Sequence, residues 1–290
     1  MIICTLFYFI GCQLNLDKVP LPSSSEITAE HPNLPCLNQT FDLFISIFDI
    51  YVAAPDTVPL DYLLHTSSVL AEYLDNDADG VPDDPLVHEY LVSHNYIVPV
   101  WTEAHREELW EQIEGTACAD EIGMAASMYY DEDQWALGGI TASEKWDTNL
   151  EEVWHVISDG WYAVYPEYFG TSQDDSGAFI PSKLFEAMDV ARGGQFLSVP
   201  ASYPEEAWYT YDDETCDYAC QAHEYFYWIL MANIDALQPS LTDKCEESQD
   251  EWHICTQEEL QQQDILAFEL LNNYDFVLPT AIPEGDYQGP

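Results

Sequence analysis

The segment CQAHEYFYWILM, residues Cys220 to Met231, reads as a helix that is apolar nearly all round, and a helix of that kind has to be buried. It nonetheless carries His223 and Glu224 side by side. A buried carboxylate needs a cation or a hydrogen-bond donor. The chain has few cations to offer, since four Lys and two Arg stand against 54 Asp and Glu, for a net charge of −48. With 47% apolar residues this is no disordered acidic tail; a packed core forms, and a folded surface carries the charge. Such a surface excludes nucleic acid and anionic membranes as partners and suits a saline or divalent-rich medium.

The order of elements predicts an α+β domain, mostly helical with a small central sheet. Helical spacing of Phe41, Phe44, Ile45 and Phe48 predicts a helix over QTFDLFISIFDIYVAA, and LDYLLHTSSVLAEYL repeats the pattern. A third helix starts at Pro85 with Asp84 as N-cap, and TEAHREELWEQIEG ends a fourth at Gly115. YIVPVW, GMAASMYY and QWALGGIT have the length and boundaries of strands. Helices follow over NLEEVWHVI, PSKLFEAMDVARGG, the opening segment, and TQEELQQQDILAFELLNNY, where Thr256 and Glu259 form a capping box.

Residues 1–11 are expected to be an export signal, although basic residues before the apolar run are missing. FIGC resembles a lipobox in which Cys12 would be acylated, giving a cell-surface rather than a freely secreted protein. Residues 12–35 read as a Pro/Ser-rich tether, and 36–290 as one domain. The remaining cysteines, Cys36, Cys118, Cys216, Cys220, Cys245 and Cys255, are even in number and expected to pair as disulfides of open connectivity. Their spacing does not resemble a zinc ribbon. The sequon at Asn38 is relevant only in a eukaryote.

DNDADGVPDD, in the loop 75–84, alternates Asp75, Asp77 and Asp79 before Gly80, so that successive oxygens converge on one hard cation. The Val81 carbonyl would add a ligand, and because Leu86 replaces the closing Glu of an EF-hand, Asp83, or else Asp84 or Glu89 of the following helix, would have to complete the site. The loop thus resembles the shortened DxDxDG loops of extracellular calcium-binding modules. Ca²⁺ is the expected ion, permanently bound and structural.

On a helical projection Leu150, Val153, Trp154 and Ile157 share one face, and Glu151, Glu152, His155 and Asp159 the opposite one. Glu151 and His155 are one turn apart, like the two histidines of the His-Glu-x-x-His signature, with Glu152 in the place of the general base. The segment therefore resembles the active-site helix of zincin metallopeptidases with Glu in place of the first His. That resemblance implies a zincin-like fold, zinc or another divalent transition metal, a peptide substrate, and Glu152 as catalytic base. In the gluzincin branch a Glu from a later helix is the third ligand, which here implies Glu224, with His223 as the alternative. Two carboxylates and one imidazole would cancel the charge of a dication, so hydrolysis is expected to be attenuated or lost.

Ordinary helix chemistry competes with this reading. Thr148 and Glu151 have the spacing of a capping box, Glu151 and His155 that of a helical ion pair, and Glu224 could pair with Arg192. The chain would then be a calcium-stabilised acidic protein that binds an extracellular surface or matrix and catalyses nothing.

Overall fold

The computed structural model describes residues 21–290, so the expected export signal and Cys12 lie outside the described residues. The fold is α+β. Its sheet runs in the order β1 (Glu26–Thr28), β2 (Leu43–Ile47), β3 (Ile50–Ala54), β4 (Ile97–Trp101), β5 (Met128–Tyr129). The β1–β2 and β2–β3 pairs are antiparallel, and β3–β4 and β4–β5 are parallel.

TQEELQQQDILAFELLNNY, expected as one helix, is broken at Asp264 into Gln257–Gln263 and Ile265–Leu271, and two further elements differ from expectation in kind. The segment predicted as a helix over 39–54 is the β2–β3 hairpin, turned at Phe48 and Asp49 with φ of 48° and 66°. Its Ile and Val positions favour strand, and both faces are covered, so the apolar run lacks the alternation that marks a half-exposed strand. QWALGGIT forms no strand. Gly138 and Gly139 adopt φ of +90° and +96°, which ends any extended run, and the short helix α4 (Ile140–Ser143) follows. Of GMAASMYY, β5 and an isolated bridge from Gly123 to Tyr96 pair with the sheet. Within the expected tether, β1 joins the sheet through Ile27 and Ile45, so the packed chain begins before Cys36.

The parallel β3–β4 connection passes through α1 (Leu60–Leu74) and α2 (Pro85–Ser93). One sheet face is covered by α1 and α5 (Asn149–Ile157). The other carries a smaller core of Leu37, Phe41, Phe44, Trp101 and Ile113, the last from α3 (Arg106–Glu114). Cys36–Cys118 closes that side.

The rest of the chain is helical: α6 (Asp159–Val164), α7 (Pro166–Phe169), α8 (Lys183–Ala191), α9 (Tyr218–Asn233), α10 (Lys244–Glu247), α11 (Gln257–Gln263) and α12 (Ile265–Leu271). As its composition requires, α9 lies in the middle, in contact with α5, α8, α11 and α12 and buried throughout Tyr225–Asn233. Trp154 of α5, fully buried, packs on Tyr73, Trp161 and Phe226 and so locks α5 against α1, α6 and α9. Truncating a side chain of this size to Ala costs about 3–5 kcal/mol.

Cys216–Cys220 staples the start of α9, and Cys245–Cys255 ties α10 to the approach of α11. Disulfides of this number place the chain in an oxidising, extracellular-type environment. Among the described residues no helix is long and apolar enough to cross a membrane. Beyond α12 the chain returns to α1: the backbone N–H groups of Gly285 and Asp286 donate to the Glu72 carboxylate, and the Ser23 N–H donates to the Pro290 carbonyl.

Candidate metal centre

The start of α5 decides whether Glu151 is free to act. The Thr148 hydroxyl makes no cap; it accepts the Gln134 N–H at 3.2 Å, so the expected capping box does not form. Leu150, Val153, Trp154 and Ile157 are fully buried, while Glu151, Glu152 and His155 lie half-buried on the opposite face. That face meets α9, where His155 Nε2 stands 3.3 Å from Glu224 Oε2. One ligand atom from each of Glu151, His155 and Glu224 lies within 4.8 Å of the others.

The competing partner for Glu224 is engaged elsewhere. Arg192 is buried and donates to Gln221, Asp189 and the Phe196 carbonyl. His223, the alternative third ligand, stacks on Tyr162 with ring centroids 4.4 Å apart and faces the Thr171 hydroxyl, outside the three-residue group. Asp159 leaves the face as well, accepting the Tyr96 hydroxyl at 2.9 Å.

The group lines a cleft of about 600 Å³ together with Glu152 and His223. Its far wall is the segment Met124–Ser127, which leads into β5, the last strand of the sheet, and Arg106 of α3 stands on its rim. Arg106 donates to the Tyr129 hydroxyl at 3.1 Å. Burial pushes the Glu152 carboxyl up to about 8, and among the described residues no cation pairs with it. Burial works against a charged His155, but Glu224 and the flanking carboxylates outweigh it and hold the imidazole up at about 9. Glu224 is buried too, which favours its neutral form, yet the adjacent His155 lowers it below the ordinary value. His223, desolvated without an ion partner, is pulled down to about 4.

Behind Glu151 stands Lys244, its Nζ 4.0 Å from Glu151 Oε2 and over the rings of Trp146 and Trp228. The sequence reading missed this residue. The signal was available in the scarcity of cations: where acids outnumber them so heavily, the surroundings of each Lys and Arg are informative.

In the acidic loop, Asp75, Asp77 and Asp83 bring ligand oxygens within 4.8 Å of one another, and Asp79 is not part of that group. Its carboxylate instead accepts the Val81 N–H at 2.9 Å, bracing the turn that Gly80 makes at φ +92°. Asp75, fully buried, accepts the N–H of Asp79 and of Gly80 and the Tyr287 hydroxyl. Burial, with the neighbouring acids, pushes Asp83 up to about 6. Asp84 caps α2 as expected, through the N–H of Leu86 and Val87.

No protein-family model matches this chain, and no curated protein or solved structure matches it.

Proposed function

We propose that the chain is an exported metalloprotein in which Glu151, His155 and Glu224 hold zinc or another divalent transition metal, and that it resembles a zincin peptidase. The observation that carries this reading is the approach of Glu224, from a helix about seventy residues on, to the Glu151–His155 face. A half-buried carboxylate whose one cationic partner among the described residues is an imidazole, beside a second carboxylate, is a donor set of the kind divalent metals take.

A dication bound there supplies Lewis acidity at the cleft wall. The chain's own contribution would be fourfold. Glu152, one turn-face from the ligands and raised by burial, would take a proton from a water in the cleft once a nearby positive charge brings its carboxyl down. His223, kept neutral, would accept or donate a hydrogen bond to a substrate group. The segment Met124–Ser127 and the outer edge of β5, which pairs with no further strand among the described residues, offer backbone groups to an extended peptide. Arg106 gives an otherwise acidic cleft one fixed cation for a substrate carboxylate. The ligand set alone cancels a dication's charge, so slow hydrolysis is the expected outcome.

Elemental analysis of protein purified without chelator tests the reading: one equivalent of transition metal in the wild type, lost in His155→Ala. Calcium alone, or unchanged metal content in the variant, would defeat it.

The second reading, a calcium-stabilised acidic binding or matrix protein, is favoured by the second cluster. Asp75, Asp77 and Asp83 would hold Ca²⁺, with the Val81 carbonyl completing the loop and Asp79 serving the turn. The two readings are compatible, and only the first requires Glu152 to matter.

A further inference from the structure

Lys244 occupies a place that needs explanation. Its side chain is 20% exposed and its ammonium is 5.3 Å and 5.5 Å from the ring centroids of Trp146 and Trp228. Trp146 lies in the turn just ahead of α5 and Trp228 within α9, so the walls that hold the lysine come from α9 and from the approach to α5, beside the candidate ligands. The next residue, Cys245, is buried and bonded to Cys255, which fixes the backbone from which the lysine projects. Cation–π contact of this kind restrains an ammonium without neutralising it.

The charge nearest to that ammonium is Glu151, the residue that departs from the zincin signature. At 4.0 Å the contact is longer than a direct hydrogen bond, so Lys244 attracts the carboxylate without closing a bridge over it. Next to the same carboxylate lies the buried Tyr227 hydroxyl. Glu251, which accepts the Trp228 indole N–H at 2.7 Å, also lies within electrostatic reach of both Lys244 and Glu151, farther from the ammonium than Glu151 is. Glu151 thus has a ligand-facing side toward His155 and Glu224 and an outer side toward a lysine and a phenol. Metal-ligating carboxylates are oriented and tuned by outer partners of this type.

We infer that Lys244 is a positioning residue that offsets the charge of Glu151, so that the Glu-His-Glu set presents the net charge of the His-His-Glu set of a zinc hydrolase. Two imidazoles and one carboxylate leave one positive charge on a dication. Two carboxylates and one imidazole leave none, and a lysine held against one of those carboxylates returns it. The exchange of His for Glu in the signature and the placement of a scarce cation behind it are then two halves of one arrangement. The inference rests on the metal reading given above and adds to it a specific sign.

Zn²⁺ titration against a competing chromophoric chelator tests that sign, using wild type, Lys244→Met, Lys244→Gln and Lys244→Arg. Removing a unit positive charge near a dication strengthens binding, so Lys244→Met is expected to bind Zn²⁺ about tenfold more tightly than wild type while hydrolysing peptides more slowly. Lys244→Gln, which keeps a polar head between the tryptophans, shows the same tightening if Met disturbs folding, and Lys244→Arg stays within about twofold of wild type. A lysine that merely props the fold gives the opposite sign. Unchanged or weaker Zn²⁺ binding in both neutral variants, with wild type still binding one equivalent, overturns the role of Lys244 and leaves the metal site standing. Failure of wild type to bind Zn²⁺ overturns both.

Discussion

Glu224→Gln separates a metal site from an ordinary buried pair. In the wild type two opposite charges stand 3.3 Å apart with side chains 14% and 20% exposed. At an effective dielectric of ~20 they attract by about 5 kcal/mol, and the cost of desolvating both leaves a net penalty of about 2 kcal/mol when one partner is removed. For a domain of this size that lowers Tm by about 3–4 °C in chelator. The pH dependence has a definite sign. His155 is held up at about 9, above its ordinary 6.5, so the stabilisation is full below about 6.5 and fades as pH rises through about 9. In Glu224→Gln that fading shrinks, with only Glu151 and Glu152 left to raise the imidazole. Zn²⁺ at a hundredfold excess over its Kd should then stabilise wild type by about 2.7 kcal/mol, raising Tm by a further ~5 °C, and should raise the variant little. Scanning fluorimetry at several pH values, with chelator or Zn²⁺, reads all of this. A variant that melts like wild type in chelator has no such pair, and one that keeps the full Zn²⁺ shift has no ligand at Glu224.

Other outcomes follow from the same groups. Metal must displace the proton that Glu224 helps to hold on His155, so apparent Zn²⁺ affinity should fall about tenfold per pH unit below about 9; a flat profile excludes His155 as ligand. Glu152→Gln should keep metal content while losing at least about a hundredfold in any peptide hydrolysis, and equal loss of metal would show a structural role. Asp83 is crowded by Asp75 and Asp77, so Ca²⁺ should raise wild-type Tm by about 5 °C at a hundredfold excess over Kd; Asp83→Asn should lose most of that gain, and a Tm indifferent to Ca²⁺ in wild type argues against the loop as a site.

Helices with one apolar face were legible in the chain: α1, α2, α5 and the buried α9 lie where their patterns placed them. The β2–β3 hairpin was not, because a sheet covered on both faces buries Phe44, Ile45 and Ile47 alike and erases the alternation that would have identified it. At the candidate site, spacing alone set Glu151, Glu152 and His155 on one face, since all three share a helix. Glu224 emerged from a chemical argument, a carboxylate on an apolar helix. Lys244 was invisible to both, because its relation to Glu151 is made by one side chain reaching across from α10 in the folded chain and has no periodic trace. Asp79, equivalent to its neighbours in the pattern, is set apart by a local hydrogen bond to Val81.

The strap formed by the last residues has a consequence for how the protein matures. Asn76, in the acidic loop, accepts the N–H groups of Thr280 and Ala281, while Tyr287 reaches Asp75 and the Pro290 carbonyl is bound by Ser23. The loop near the beginning of the domain is therefore finished by segments made at its end. A chain emerging in order cannot complete this clasp until the segment around 280–290 has itself been made, so closing it comes late in folding.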